Sequence, residues 1–346
     1  MHISRIYPSD RRNQEKLTKL LEEEGIRKDK NLDYTAGLFD DEENLIGTGS
    51  IFSNTLRCLA VSRSHQGEGL MNMIVSHLID EQFNRGNSHI FVYTKVTSAK
   101  FFESLGFKPI AAVDGQLVFL ENRRNGFLDY LSKLKKESQG YEGPSSAIVM
   151  NANPFTLGHQ YLAEKASAES DVLHIFLVSE DRSLFPYEAR RKLVEEGTKH
   201  LGNVILHQTG PYLISNATFP SYFQKDEDAV IESHARLDAA LFTLIASELE
   251  IKVRYLGEEP LSHVTGIYNS LLSSLLPKNG IEVRILKRLE KDGRPVSASE
   301  VRNSLKEGKL EAASSLLPPS SAAYLLSEDA KSVLERIRRA SEVRHY

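Results

Sequence analysis

From residue 147 onward, short apolar runs alternate with helical patterns, and this alternation constrains the fold more than any other feature of the sequence. The runs lie at 147–150, 172–179, 204–207, 253–256 and 282–286. Helical periodicity begins near 158 and near 187, covers 228–249, and returns between the last two runs. Short strands buried on both faces and followed by helices predict right-handed crossovers and a parallel sheet. Ligands of such a sheet bind beyond the carboxyl ends of its strands. The first 125 residues have a different rhythm, with β-rich runs at 35–39, 45–52, 56–61, 89–94 and 117–120 and helical patterns at 11–24, 67–85 and 97–105. They predict a separate mixed α/β domain. A polar, breaker-rich stretch ending in Ser-Gln-Gly-Tyr-Glu-Gly-Pro-Ser-Ser lies between them. The expected division is a domain over 1–125, a linker at 126–145 and a second domain over 146–346.

Charge and cysteine content narrow the function classes. In 346 residues, 43 basic and 47 acidic side chains give a net charge of −4, which excludes a broad nucleic-acid-coating surface. Cys58 is the sole cysteine, so neither an intrachain disulfide nor a Cys-based metal site can form. It reads as a small buried hydrophobe, and a reducing cytoplasm is the expected compartment. The start lacks the apolar segment of a signal peptide, and no apolar run is long enough to cross a bilayer, so no membrane association is expected. His200, His207, His234 and His263 fall on different elements without zinc-type spacing, and no metal site is expected from them.

Two motifs carry candidate chemistry. The run at 147–150 leads into Asn151-Ala-Asn-Pro-Phe-Thr-Leu-Gly-His159, and a helix follows directly. Thr156, Gly158 and His159 therefore fall on a helix N-terminal turn at a strand's carboxyl end, where unpaired N–H groups and the helix dipole favour an anion. Gly158 admits a phosphate close to the backbone, and His159 can donate to a phosphate oxygen. The alternative is a loop with a capping threonine and an exposed histidine. After the last strand stands Val296-Ser-Ala-Ser-Glu-Val-Arg302. Ser297 or Ser299 can cap a helix, and Arg302 one turn in can reach a phosphate tail; a plain cap with a surface arginine is the competing reading. Gly257 follows another strand, so adenine or ribose can approach it, and Glu258 and Glu259 are ribose candidates or a solvated acidic turn. Arg190 reads as a surface helix arginine, with phosphate contact as the alternative.

The pair Thr156-Leu-Gly-His159 and Val296-Ser-Ala-Ser-Glu-Val-Arg302 resembles the two signatures of the nucleotidyltransferase superfamily, with Thr156 in place of a first histidine. Further stretches resemble the citrate lyase ligase family: Asn153-Pro-Phe-Thr-Leu-Gly-His159, Leu184-Phe-Pro-Tyr-Glu-Ala-Arg190, Ala217-Thr-Phe-Pro-Ser-Tyr-Phe223, Lys225-Asp-Glu-Asp228, His234-Ala-Arg-Leu-Asp238 and Tyr255-Leu-Gly-Glu-Glu-Pro260. In the first domain, Gln66-Gly-Glu-Gly-Leu-Met71 and Phe101-Phe-Glu-Ser-Leu-Gly-Phe107 are similar to the acyl-CoA-binding turn and the aromatic segment of GNAT-type acetyltransferases.

These resemblances imply an α/β protein, with a GNAT-type acetyltransferase-like domain ahead of a Rossmann-like nucleotidyltransferase domain. They imply ATP, with Mg²⁺ arriving on its phosphates, attack of acetate on the α-phosphate, and transfer of acetyl to the CoA-derived thiol of the citrate lyase acyl carrier subunit. The implied nucleotide contacts are Asn151, Asn153, Phe155, Thr156, Gly158, His159, Gly257, Glu258, Ser297, Ser299 and Arg302. His159, Thr156 and Arg302 carry catalysis in this assignment, and Gln66, Gly67 and Gly69 would meet the CoA-like arm. Adenylylation of a phosphorylated cofactor precursor, and acetyl transfer from acetyl-CoA, are the alternative activities.

Overall fold

A computed structural model describes residues 1–29, 32–113, 115–213, 219–220, 222, 226–258 and 262–340. The chain divides into two compact units, Met1–Phe127 with Thr218–Ala240, and Leu128–Ala217 with Leu241–Tyr346. No described helix is long and apolar enough to cross a membrane.

The first unit contains β1 (His2–Arg5), α1 (Arg11–Glu23), β2 (Tyr34–Phe39), β3 (Leu45–Phe52), β4 (Thr55–Val61), α2 (Leu70–Asn84), β5 (Phe91–Thr94), α3 (Val96–Ser104), β6 (Lys108–Val113) and β7 (Leu117–Glu121). Its sheet runs β1-β2-β3-β4-β5-β7-β6, antiparallel except for β4 beside β5. The apolar face of α2, with Ile74, Val75 and Leu78 fully buried, joins Ile51, Leu56 and Phe107 in the core. Sequence patterning misses β1 and β6, the two edge strands. Their residues are largely exposed, so no period-2 burial marks them.

The stretch expected as a linker opens with a helix, α4 (Gly126–Glu137). The second unit continues with β8 (Ser145–Met150), α5 (Leu157–Ala168), β9 (Val172–Leu177), α6 (Tyr187–Thr198) and β10 (Val204–Gln208). Next in the chain is a long helix, α7 (Glu227–Glu248), of which the residues up to Ala240 belong to the first unit and the rest to the second; then come β11 (Ile251–Gly257), α8 (His263–Leu275) and β12 (Glu282–Leu286). A two-stranded ribbon, β13 (Glu290–Lys291) with β14 (Arg294–Pro295), leads to α9 (Ala298–Lys306), α10 (Leu310–Ser315), α11 (Pro319–Leu325) and α12 (Lys331–Arg339). The sheet is parallel throughout, in the order β10-β9-β8-β11-β12. The chain builds outward from β8 to β10 on one side and then crosses to β11 on the other. The crevice where strand order reverses therefore lies at the carboxyl ends of β8 and β11.

Buried apolar side chains of β8 and β9 pack with those of α6, α9, α11 and α12. One polar line crosses the sheet. His174 on β9 meets His207 on β10 at 2.9 Å, and His207 meets Glu137 of α4 at 2.7 Å. Burial, and then the neighbouring His207, push the His174 imidazole down to about 3. The unfolded chain thus binds a proton near the ordinary histidine value that the folded chain refuses until far lower pH. Stability should fall on acidification from about pH 6.5, by up to about 1.4 kcal/mol per unit from this group. Urea midpoints measured across this range should drop in the parent and drop less steeply in His174→Phe, in which His159 still titrates; equal slopes would remove His174 as a cause.

Candidate functional site

The loop leaving β8 is held in an unfavourable backbone shape. Ala152 sits at φ 50°, in the left-handed region where a side chain is strained, and is fully buried. Such a conformation persists only when its surroundings fix it. Arg190, one turn into α6 and with no exposed surface, supplies much of that fixing. Its guanidinium donates to the carbonyl and the side-chain Oδ1 of Asn151, each at 2.9 Å. It also donates to the carbonyls of Val178, Glu180 and Phe185. The expectation of a surface arginine is therefore corrected: its partners are carbonyls at the carboxyl ends of β8 and β9, which no local period reveals. Asn153, also buried, accepts from the Phe185 N–H at 3.0 Å.

Thr156 is the N-cap of α5, and its cap extends into the imidazole of His159. The Thr156 N–H donates to His159 Nδ1 at 3.1 Å, and Thr156 Oγ1 lies 2.9 Å from the same nitrogen. An Nδ1 that accepts a backbone N–H carries no hydrogen, so the neutral ring bears its proton on Nε2. Burial, then the charges of Arg288 and Arg302, push this imidazole down to about 4, which keeps it a neutral Nε2–H donor near neutral pH. Phe155, fully buried, stacks beneath the ring with centroids 5.8 Å apart. A Cβ on Gly197 of α6 would come within 2.4 Å of the Phe155 ring, so that glycine makes room for it. From there Phe155 supports His159 and has no surface to offer a nucleotide. In the first turn of α5, Leu157 donates to the Leu316 carbonyl, His159 to Thr156 Oγ1 and Gln160 to the Thr156 carbonyl. The N–H of Gly158 has no partner among the described residues.

The second motif meets the first directly. Ser297 caps α9 by accepting from the Glu300 N–H at 3.0 Å. Arg302, buried one turn later, donates through one nitrogen to the Asn153 carbonyl at 2.5 Å and through another to Ser299 Oγ at 3.1 Å. A Cβ on Gly158 would lie 3.3 Å from the Val296 carbonyl, so a side chain there would press on the start of the second motif. Burial holds the Arg302 guanidinium down to about 10. Residues nearly 150 positions apart thus form one corner in which two helix N-termini, an imidazole N–H and a guanidinium converge, a donor set suited to a polyphosphate.

Gly257 ends β11 beside β8, at the same carboxyl edge, and its carbonyl accepts from Asn269 at 3.0 Å. Glu258 is exposed, and its N–H donates to Leu286. Glu259 lies outside the described residues. Gln66, Gly67 and Gly69 belong to the first unit, where Gly67 and Gly69 adopt φ of 90° and 76° at the start of α2. Arg288, two residues past β12, was not singled out from the sequence, yet it is the larger of the two charges acting on His159. The available signal was a basic residue just beyond a parallel strand's carboxyl end, hidden within a run of charged residues. Among the described residues, no group of three or more His, Cys, Asp or Glu is placed to hold a metal ion.

Arg302→Met should remove the bond to the Asn153 carbonyl at a cost of about 1–3 kcal/mol. Its urea midpoint should fall, and pyrophosphate, which should raise the melting temperature of the parent, should not raise that of the variant. Equal pyrophosphate shifts in both would place the anion elsewhere.

Comparison with known proteins places these features in a family. A model of the citrate lyase ligase C-terminal domain matches residues 145–325, and one of the GNAT acetyltransferase family matches residues 2–107. A curated relative from Klebsiella pneumoniae, named citrate (pro-3S)-lyase ligase, is 41% identical over 293 residues, 82% of this chain and 84% of that one. Relatives of the same name from Escherichia coli and Haemophilus influenzae are 35% and 33% identical, covering 93% and 88% of this chain and 93% and 92% of theirs. With a ligase-domain match spanning the parallel sheet and both motifs, and enzymes of one name aligned along most of its length, the chain belongs to the citrate lyase ligase family.

Proposed function

We propose that this enzyme activates citrate lyase by acetylating the CoA-derived thiol of its acyl carrier subunit at the expense of ATP. A carboxylate oxygen of acetate attacks the α-phosphorus and forms acetyl adenylate, while the α–β anhydride bond breaks and pyrophosphate leaves with the electron pair. The carrier thiol then attacks the acyl carbon. A C–S bond forms, the C–O bond to AMP breaks, and the thiol proton passes to solvent. The observation that carries this proposal is the junction of the two motifs through Arg302, Ser299 and the Asn153 carbonyl.

Charge shifts onto the bridging oxygen and the departing pyrophosphate, so donors already in place provide most of the stabilisation. His159 gives its Nε2 hydrogen to a phosphate oxygen, with Thr156 fixing the ring through Nδ1. The N–H of Gly158, without a partner among the described residues, and the N-terminus of α9 face the same anion. Arg302 and Ser299, with Ser297 at the cap, hold its β and γ end, and Arg288 adds a second guanidinium. Asn151 and Asn153 shape the loop that orients the triphosphate. Gly257 and Glu258, at the end of β11, border adenine and ribose. Mg²⁺ suits this donor set by arriving on the phosphates with its own waters. In the first unit, the turn at Gln66, Gly67 and Gly69 receives the diphosphate of the carrier's CoA-like arm.

The test follows pyrophosphate, AMP and thioester together, with ATP, Mg²⁺, acetate and deacetylated citrate lyase. Thioester and AMP should appear in equal amounts, and only with acetate present; AMP retained in a product with a phosphorylated acceptor would select the dinucleotide-forming alternative. His159→Ala should lower pyrophosphate release by about 10²–10³-fold with its circular dichroism unchanged. A rate equal to the parent's would remove His159 from the chemistry.

A further inference from the structure

In the first unit, β4 parts from its parallel neighbour. The two strands pair only at Thr55 with Phe91 and Leu56 with Val92, although β4 continues to Val61 and β5 to Thr94. The cause lies at Cys58, between Arg57 and Ala60, both of which pair with β3. Pairing between β3 and β4 slips between Thr48 and Ser50, and Cys58 of β4 takes φ 50°. A bulge of this kind bends its strand and raises the local twist, so β4 swings off β5. The unpaired stretch of β4 runs toward its carboxyl end, and the glycine turn at Gln66–Gly69 that follows opens α2. Backbone groups facing such a gap need partners. An extended, amide-bearing ligand can supply them as an added strand would.

Here the chain supplies the occupant itself, from outside the region matching the acetyltransferase family. The Tyr222 hydroxyl donates to the Tyr93 carbonyl of β5 at 2.6 Å, and the Tyr222 carbonyl accepts from the Arg27 N–H at 2.7 Å. The Tyr222 ring is buried in one apolar cluster with Cys58 and Ala60 of β4 and with Leu17 and Leu21 of α1. Phe219, also buried, stands edge-on to Tyr93 with centroids 5.8 Å apart.

We propose that Phe219 and Tyr222 form an internal plug in the β4–β5 gap that excludes a pantetheine-type arm, so that seating of the plug and entry of such an arm are mutually exclusive. With the plug seated, the first unit is no acetyl-CoA-dependent transferase. A diphosphate at the glycine turn would leave its thiol arm outside the gap, free to react elsewhere. The inference rests on the first unit alone and stands whether or not the second unit forms acetyl adenylate.

The test uses the full chain with CoA as probe. Phe219→Ala/Tyr222→Ala should bind CoA about ten-fold or more tightly than the parent by calorimetry, because the parent's affinity is reduced by its closed fraction. Tyr222→Phe, which keeps the ring, should stay within about two-fold of the parent. Cys58, the sole cysteine, reports the same opening: its buried thiol should react with a disulfide reagent about ten-fold faster in the double variant, and CoA should slow that reaction. If the double variant does not melt cooperatively, Phe219→Ala alone carries the comparison, since it leaves the Tyr222 hydrogen bond in place. Equal CoA affinity in parent and opened variant, or no binding by either, would overturn the plug.

Discussion

A buried guanidinium joins the two ends of the second unit. Arg302 reaches from just past the first turn of α9 to the carbonyl of Asn153, and that bond ties the end of the fold to the loop leaving its first strand. The loop depends on such support because Ala152 holds a strained backbone between Asn151 and Asn153. Arg190 acts from the other side, gathering carbonyls at the ends of β8 and β9. Removing either buried guanidinium would take its hydrogen bonds from the carbonyl and side-chain oxygens it holds.

The same corner shows how a threonine serves where a histidine stands in the related signature. Thr156 caps α5, receives the His159 N–H and lies against Nδ1, so a single hydroxyl fixes both the helix start and the ring. Phe155 below and Gly197 behind it complete the support. Positioning therefore comes from packed, buried groups, and the Gly158 N–H has no partner among the described residues. A donor array that needs no rearrangement is suited to stabilising charge as it moves during displacement.

How much was legible in the sequence follows from how local each signal is. The parallel sheet could be read because its central strands, β8 and β9, are buried on both faces and so form apolar runs, and the run at 282–286 coincides with β12. Both motifs could be read because strand-to-loop-to-helix spacing is local. Arg190 and Arg288 could not be assigned, since their surroundings are made by residues distant in sequence. Placement of Thr218–Ala240 with the first unit was likewise invisible: the periodicity of α7 shows that a helix forms, not which core receives its start. The β4 bulge was hidden too, because Cys58 carries no turn signature and its left-handed backbone emerges only against β3.

Whether the Arg302 junction binds ATP and activates it toward acetate is read from exchange of labelled pyrophosphate into ATP, with no carrier protein present. The parent should show exchange that requires acetate and Mg²⁺, and Arg302→Met, with its fold retained, a loss of about 10²-fold or more. Exchange that proceeds without acetate, or that survives undiminished in Arg302→Met, would contradict it.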